Sequence, residues 1–192
     1  FEYFRENSEN LVFEGRPVKC STNPGFLGTD GPFTIACNLR GATEVCLDIY
    51  EDPDYFHDLM RTITDATIKR MKAWMDYLSI SYPVQEWGFA DDSIELLSPS
   101  QYREHVLPYH RQLIDEFSKG GPNSIHLCGK AYHLFKILKE ELNITIFNTG
   151  YPTDLALARR ELGPEVELQG NIHPELLRSG TQEEITEAVR TL

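Results

Sequence analysis

Five short apolar runs, separated by longer amphipathic stretches, dominate this sequence. That alternation restricts it to folds in which parallel strands are joined by helices. The runs lie at 32–38, 84–91, 123–128, 143–148 and 166–170. Asp52-Pro53 opens a helix to about residue 78, with Phe56, Leu59, Ile63, Ile68, Met71 and Met75 on one face. Ser98 offers an N-cap oxygen and Pro99 stands where no N–H is needed, so a second helix runs through Tyr102, Val106, Leu113 and Phe117 to the Gly120-Gly121 stop. Further helices are expected at 131–142, 153–162 and 181–192, the last opened by Thr181 and Glu184 at capping-box spacing.

Residues 1–30 contain a linker from Asn7 to Asp30 rich in Gly, Pro, Asn and Ser, and read as an irregular opening segment. Residues 31–192 read as successive β/α units of one domain. A doubly wound sheet and a closed barrel share this alternation. Five strands do not close a barrel, which needs at least about 200 residues, so a barrel would be present only in part.

Charge and composition exclude several roles. The formal net charge is −12 with no Lys/Arg cluster, which argues against nucleic acid, since phosphate binding depends on grouped cations. No run approaches the roughly 18 apolar residues of a membrane span, and Phe1-Glu2-Tyr3-Phe4-Arg5 lacks the order of a secretory signal. The expectation is a cytoplasmic protein. Cys20, Cys37, Cys46 and Cys128 are widely spaced in a chain long enough to bury a core, which favours free thiols or metal ligands over a disulfide framework.

Polar residues gather where the strands should end: Asp91 and Asp92, His126 and Cys128, Asn148 and Thr149, Gln169 and Asn171. In parallel α/β folds that edge hosts the active site. Side chains alternate along a strand, so His126 and Cys128 project together while Ile125 and Leu127 pack the other way. Imidazole plus thiolate suits zinc. The plainer reading is a buried cysteine beside a hydrogen-bonded histidine. Asp91 or Asp92 could act as a general base, orient His126 or accept a substrate hydrogen bond, or else cap backbone N–H groups; alternation makes the two point apart. His57, His105, His110 and His133 fall in helices and read as surface or packing residues, whereas His173 follows a strand end.

Several segments resemble successive signatures of the uroporphyrinogen decarboxylase superfamily: Gly31-Pro32-Phe33-Thr34, Leu39 with Gly41, Ser98-Pro99 with Tyr102 and Pro108, and Leu168-Gln169-Gly170-Asn171-Ile172-His173-Pro174. Leu176-Leu177 and the stretch from Gly180 to Ile185 resemble that family's passage into its next helix. The resemblance implies a TIM (β/α)8 barrel of which this chain carries the later part, without the earliest strands and the final one. His126, Cys128 and Gly129 are similar to the zinc motif of the methylcobalamin:coenzyme M methyltransferases, His-x-Cys followed by a distant Cys. That third ligand would fall beyond Leu192, no Cys follows Cys128, and Cys20, Cys37 or Cys46 could substitute only if the fold brings them there.

Two departures count against a porphyrinogen decarboxylase. Asn38 stands where that enzyme has a Tyr, and Asn171-Ile172-His173-Pro174 replaces its Asn-Leu-Asp-Pro. The resemblance therefore implies a zinc-dependent methyltransferase. In it His126 and Cys128 hold the metal, Asp91 or Asp92 serves catalysis, and Asn38, Asn148, Gln169, Asn171 and His173 bind substrate. The methyl donor would be methylcobalamin on a separate corrinoid protein and the acceptor a small thiol such as coenzyme M. Decarboxylation of a tetrapyrrole is the alternative activity. A noncatalytic partial barrel, completed by a homo-oligomeric partner or by missing segments, is a third reading.

Overall fold

The computed structural model describes residues 2–8, 10–18 and 28–192; Cys20 lies outside them. The opening segment contains a short helix, α1 (Glu2–Ser8), and a two-stranded hairpin of β1 (Val12–Phe13) and β2 (Arg16–Pro17).

Three helices follow: α2 (Pro32–Arg40), α3 (Ala42–Glu51) and α4 (Pro53–Tyr77). The run 32–38, expected as a strand, is therefore helical, and the first strand of the main sheet begins only at Trp87. Pro32 occupies the first helical position, where its missing N–H costs nothing. The cap is long-range: the Asp91 carboxylate accepts the backbone N–H groups of Phe33 (3.2 Å) and Thr34 (2.7 Å) from 58 and 57 residues away. A Cβ at Gly31 would collide with that carboxylate, so only glycine lets the two segments meet. Phe33, Ala36 and Cys37 form the buried face.

Asp52 caps α4 by accepting the Tyr55 N–H at 3.1 Å. Phe56, Met60, Ile63, Thr64, Thr67, Met71 and Met75 give it one buried stripe at helical spacing. After β3 (Trp87–Ala90) and a 3-10 turn (Asp92–Leu96), a capping box of Ser98 and Gln101 opens α5 (Pro99–Gln101). The chain then widens into a π-turn (Tyr102–Val106) before α6 (Leu107–Phe117). Pro108 accounts for the turn: a proline inside a helix removes one ladder bond, and the Leu107 N–H reaches back to the Tyr102 carbonyl instead. The remaining elements are β4 (Asn123–Leu127), α7 (Tyr132–Leu142), β5 (Ile144–Thr149), α8 (Leu155–Leu162), β6 (Glu167–Gln169), α9 (Pro174–Ser179) and α10 (Gln182–Thr191).

The four strands β3 to β6 are all parallel and lie side by side in chain order. A doubly wound sheet would reverse its order partway. Sequential order with right-handed crossovers keeps the helices on one side, which is the winding of a TIM barrel. Trp87, Phe89, Ile125, Leu127, Ile144 and Phe147 are buried in the core on that side. The opposite face, with Gly88, Ala90, Ser124, His126, Ile146 and Asn148, lines a concavity of about 570 Å³. Among the described residues no helix is long and apolar enough to cross a membrane.

Candidate metal centre at the strand ends

Pairing register aligns the polar residues that alternation placed on the concave face. Ala90 pairs with His126, His126 with Asn148, and Asn148 with Gln169, forming one row across all four strands. Two residues past Ala90 and His126, just beyond the ends of β3 and β4, stand Asp92 and Cys128, beside the His126 that lines the concavity.

Local structure holds β4 in this position. Asn123 anchors its start, donating to the Leu142 carbonyl (3.0 Å) and accepting from the Ser118 hydroxyl (2.6 Å). Ile125 and Leu127 are sunk in the core at 1% exposure each, which forces His126 and Cys128 outward. The Gly150 N–H donates to the Leu127 carbonyl (2.9 Å), and a Cβ at Gly150 would stand 2.8 Å from the Cys128 Cα. Glycine at that position is what lets the loop after β5 close against Cys128.

His126 Nε2 lies 2.8 Å from Cys128 Sγ and 4.0 Å from Asp92 Oδ1. Asp92 Oδ1 also accepts the Cys128 backbone N–H at 2.6 Å. One ligand atom from each of Asp92, His126 and Cys128 falls within 4.8 Å of the other two, the one such group of His, Cys, Asp or Glu found among the described residues. The His126 and Asp92 side chains are 40% and 42% exposed, so the group is open to solvent on one side. Partial burial and the carboxylates of Asp92 and Glu95 raise the Cys128 thiol above its ordinary pKa.

The donor set fits zinc: imidazole nitrogen, thiolate sulfur and carboxylate oxygen are its usual partners, with a fourth position left open. Ligand bonds of roughly 2.0–2.3 Å at tetrahedral angles put nitrogen and sulfur roughly 3.6 Å apart. His126 and Cys128 would have to spread by less than about 1 Å from their present hydrogen bond.

The other expected residues separate. Asp91 is not at the site. Its side chain is fully buried and, besides capping α2, accepts the Thr34 hydroxyl (2.6 Å) and bonds His110 Nε2 (2.8 Å), while His110 Nδ1 meets the Tyr102 hydroxyl (2.9 Å). This occupancy by protein groups replaces the catalytic reading of Asp91 with a structural one. Asn38 is also displaced: it sits exposed in the last turn of α2, because the segment coils instead of extending.

Asn148 bonds His126 directly, and Gln169 joins the site through Asn148, whose amide N–H it accepts. Asn171 instead ties the segment after β6 to the β5–α8 loop, donating to the carbonyls of Gly150 (3.3 Å) and Thr153. His173 caps α9 by accepting the Glu175 N–H (3.0 Å), and its ring packs on Tyr151 with centroids 4.0 Å apart. Cys37 and Cys46 lie on α2 and α3, outside the metal group, and burial pushes the Cys37 thiol up to about 11. His57 and His105 form a pair at 3.5 Å between α4 and the π-turn, and His133 bonds the Leu97 carbonyl.

The sequence offers Asp91 or Asp92 alike as a partner of His126 and only cysteines as a third ligand, so Asp92 as a ligand is missed. The available signal was parity: Asp92 stands two residues past Ala90, as Cys128 stands two past His126. Only the register shows that these two rows coincide.

Comparison with known proteins agrees with this architecture. A family model described as uroporphyrinogen decarboxylase (URO-D) matches residues 24–192. A uroporphyrinogen decarboxylase of Pelobacter propionicus is 31% identical over 159 residues, covering 80% of this chain and 44% of that protein. A methylated-thiol–coenzyme M methyltransferase of Methanosarcina mazei is 28% identical over 163 residues, covering 83% and 42%. The chain thus spans less than half the length of these relatives. Among solved structures, a methyltransferase from Methanosarcina mazei superposes with a TM-score of 0.59 at 15% identity, covering 76% of this chain and 42% of that one, a likeness of fold.

Proposed function

This chain belongs to the uroporphyrinogen decarboxylase family, and on that premise we propose that it is part of a zinc-dependent enzyme transferring a methyl group between a corrinoid and a small thiol such as coenzyme M. One observation carries the reading: Asp92, His126 and Cys128 converge within 4.8 Å at the C-terminal rim of the parallel sheet. That is the edge where this architecture places its active site.

His126 Nε2, Cys128 Sγ and Asp92 Oδ1 would hold the metal. Zinc there would lower the pKa of a bound thiol so that thiolate persists near neutral pH. The rest of the work belongs to the protein. Asp92 links the loop after β3 to the Cys128 backbone, which keeps the thiolate ligand beside His126. Asn148 holds the far side of the imidazole through Nδ1 at 2.5 Å. The 570 Å³ concavity beneath provides a partly apolar bed for the acceptor. The methyl donor in this proposal is methylcobalamin on a partner corrinoid protein.

A second reading, decarboxylation of a tetrapyrrole, draws on the relatives that carry the decarboxylase name. It gives no role to the Asp92–His126–Cys128 group. The two separate by experiment. Elemental analysis should find about one zinc per chain, reduced in His126→Ala, Cys128→Ala and Asp92→Ala, and methyl transfer from methylcobalamin to a thiol should stop with a chelator. Full zinc occupancy in both His126→Ala and Cys128→Ala, or chelator-insensitive formation of coproporphyrinogen, would overturn the methyl-transfer assignment.

A further inference from the structure

The row that crosses the sheet continues past His126 and Asn148 to Gln169, and Glu167 lies two residues before Gln169 on the same strand. The contacts link up in order. Gln169 Nε2 donates to Glu167 Oε1 (2.7 Å), Asn148 Nδ2 donates to Gln169 Oε1 (3.1 Å), and Asn148 Oδ1 lies 2.5 Å from His126 Nδ1.

The direction of this chain is set at its far end. An ionised carboxylate only accepts hydrogen bonds. Gln169 must therefore turn its nitrogen to Glu167, which leaves its carbonyl facing Asn148. Asn148 must then donate to Gln169 and present its own carbonyl to His126. Facing a carbonyl, His126 Nδ1 carries the ring proton, and the lone pair of the neutral imidazole lies on Nε2. Nε2 is the atom that stands 2.8 Å from Cys128 Sγ.

We infer that Glu167, acting through the amides of Gln169 and Asn148, is a positioning residue that holds His126 in the tautomer able to bind a metal through Nε2. This rests on the metal-site reading for its purpose, but the tautomer it predicts exists in the metal-free protein. It also reassigns Asn148 and Gln169 from substrate binding to support of the imidazole. The two amides carry information about a charge three side chains away to the ligand atom.

A reversal tests it. Lysine has only donors to offer, so Glu167→Lys turns both amides over, presents the Asn148 nitrogen to Nδ1 and drives the proton to Nε2. Glu167 is exposed on β6, so the fold should survive, with an unchanged melting temperature as control. Asn148→Asp places an acceptor directly on Nδ1 and cuts out the relay. Adding it to Glu167→Lys should restore the original tautomer.

The readout is the two-bond ¹H–¹⁵N correlation of the imidazoles in the metal-free chain, paired with zinc affinity. The expected result is the Nδ1–H form in the wild type, the Nε2–H form in Glu167→Lys and Nδ1–H again in the double variant. Zinc affinity should fall roughly 10- to 100-fold in Glu167→Lys and recover in the double. A folded Glu167→Lys protein with the wild-type tautomer overturns the inference, whether or not zinc binds. A tautomer that responds as described in a protein without zinc affinity removes the metal-site reading and leaves the inference standing.

Discussion

Replacing Asp91 with alanine should destabilise the protein strongly and leave its metal site intact, whereas the same change at Asp92 should do the reverse. The Asp91 side chain is 0% exposed and is bonded by Phe33 N, Thr34 N, Thr34 Oγ1 and His110 Nε2 at 2.6–3.2 Å. In Asp91→Ala the α2 N–H groups and the His110 ring lose their acceptor inside the core, where each orphaned donor costs about 1–3 kcal/mol. Loss of a helix cap alone is worth about 1 kcal/mol. Allowing for relaxation, the sum is about 3–5 kcal/mol, a large share of the roughly 5–15 kcal/mol that holds a domain folded. For a chain of this size that lowers the melting temperature by roughly 10 °C. Asp92 is 42% exposed, so Asp92→Ala should shift metal-free stability by no more than about 1 kcal/mol while reducing bound zinc. Thermal melts of the metal-free proteins and zinc content of the loaded ones measure both quantities. An Asp91→Ala protein that melts like the wild type and loses its zinc would refute this division of labour.

Ser98→Ala removes the capping box at the start of α5 and should cost about 1 kcal/mol in denaturant unfolding; a change below a few tenths would deny the cap its role. Gly150→Ala must push the loop after β5 away from Cys128, because the new methyl meets the Cys128 Cα at 2.8 Å and its Cβ at 3.3 Å. Zinc affinity should drop roughly tenfold, and titration against a colorimetric chelator would reveal an unaffected site if the contact were harmless. His57 has its pKa lowered, first by burial and then by His105 and Arg61, so the unfolded chain binds the extra proton more readily than the folded one. The resulting stability is complete above the ordinary histidine value near 6.5 and is lost as pH falls from there through the lower folded value. His57→Gln should flatten that limb of the stability–pH curve, and an unchanged limb would assign it to other groups.

Much of the sheet was legible because strand alternation is local. The runs from 84 to 170 yielded β3 to β6 within a few residues, and parity alone predicted that His126 and Cys128 share a face and that Asp91 and Asp92 diverge. The run at 32–38 misled because seven mostly apolar residues suit a buried strand as well as a helix. Its outcome was decided by an acceptor 58 positions away that caps the first turn.

The sequence by itself determined the β/α alternation, the caps at Asp52, Ser98 and Thr181, and the outward pairing of His126 with Cys128, all of which depend on neighbours within a few residues. Tertiary structure alone decided which aspartate is buried, that Asp92 rather than another cysteine meets the pair, and that Glu167 reaches His126 through two amides. Asp91 meets helices α2 and α6, Asp92 reaches from the end of β3 to the end of β4, and Glu167 acts from β6 through β5 to β4, so helix packing and strand register, which belong to the whole fold, decide these meetings.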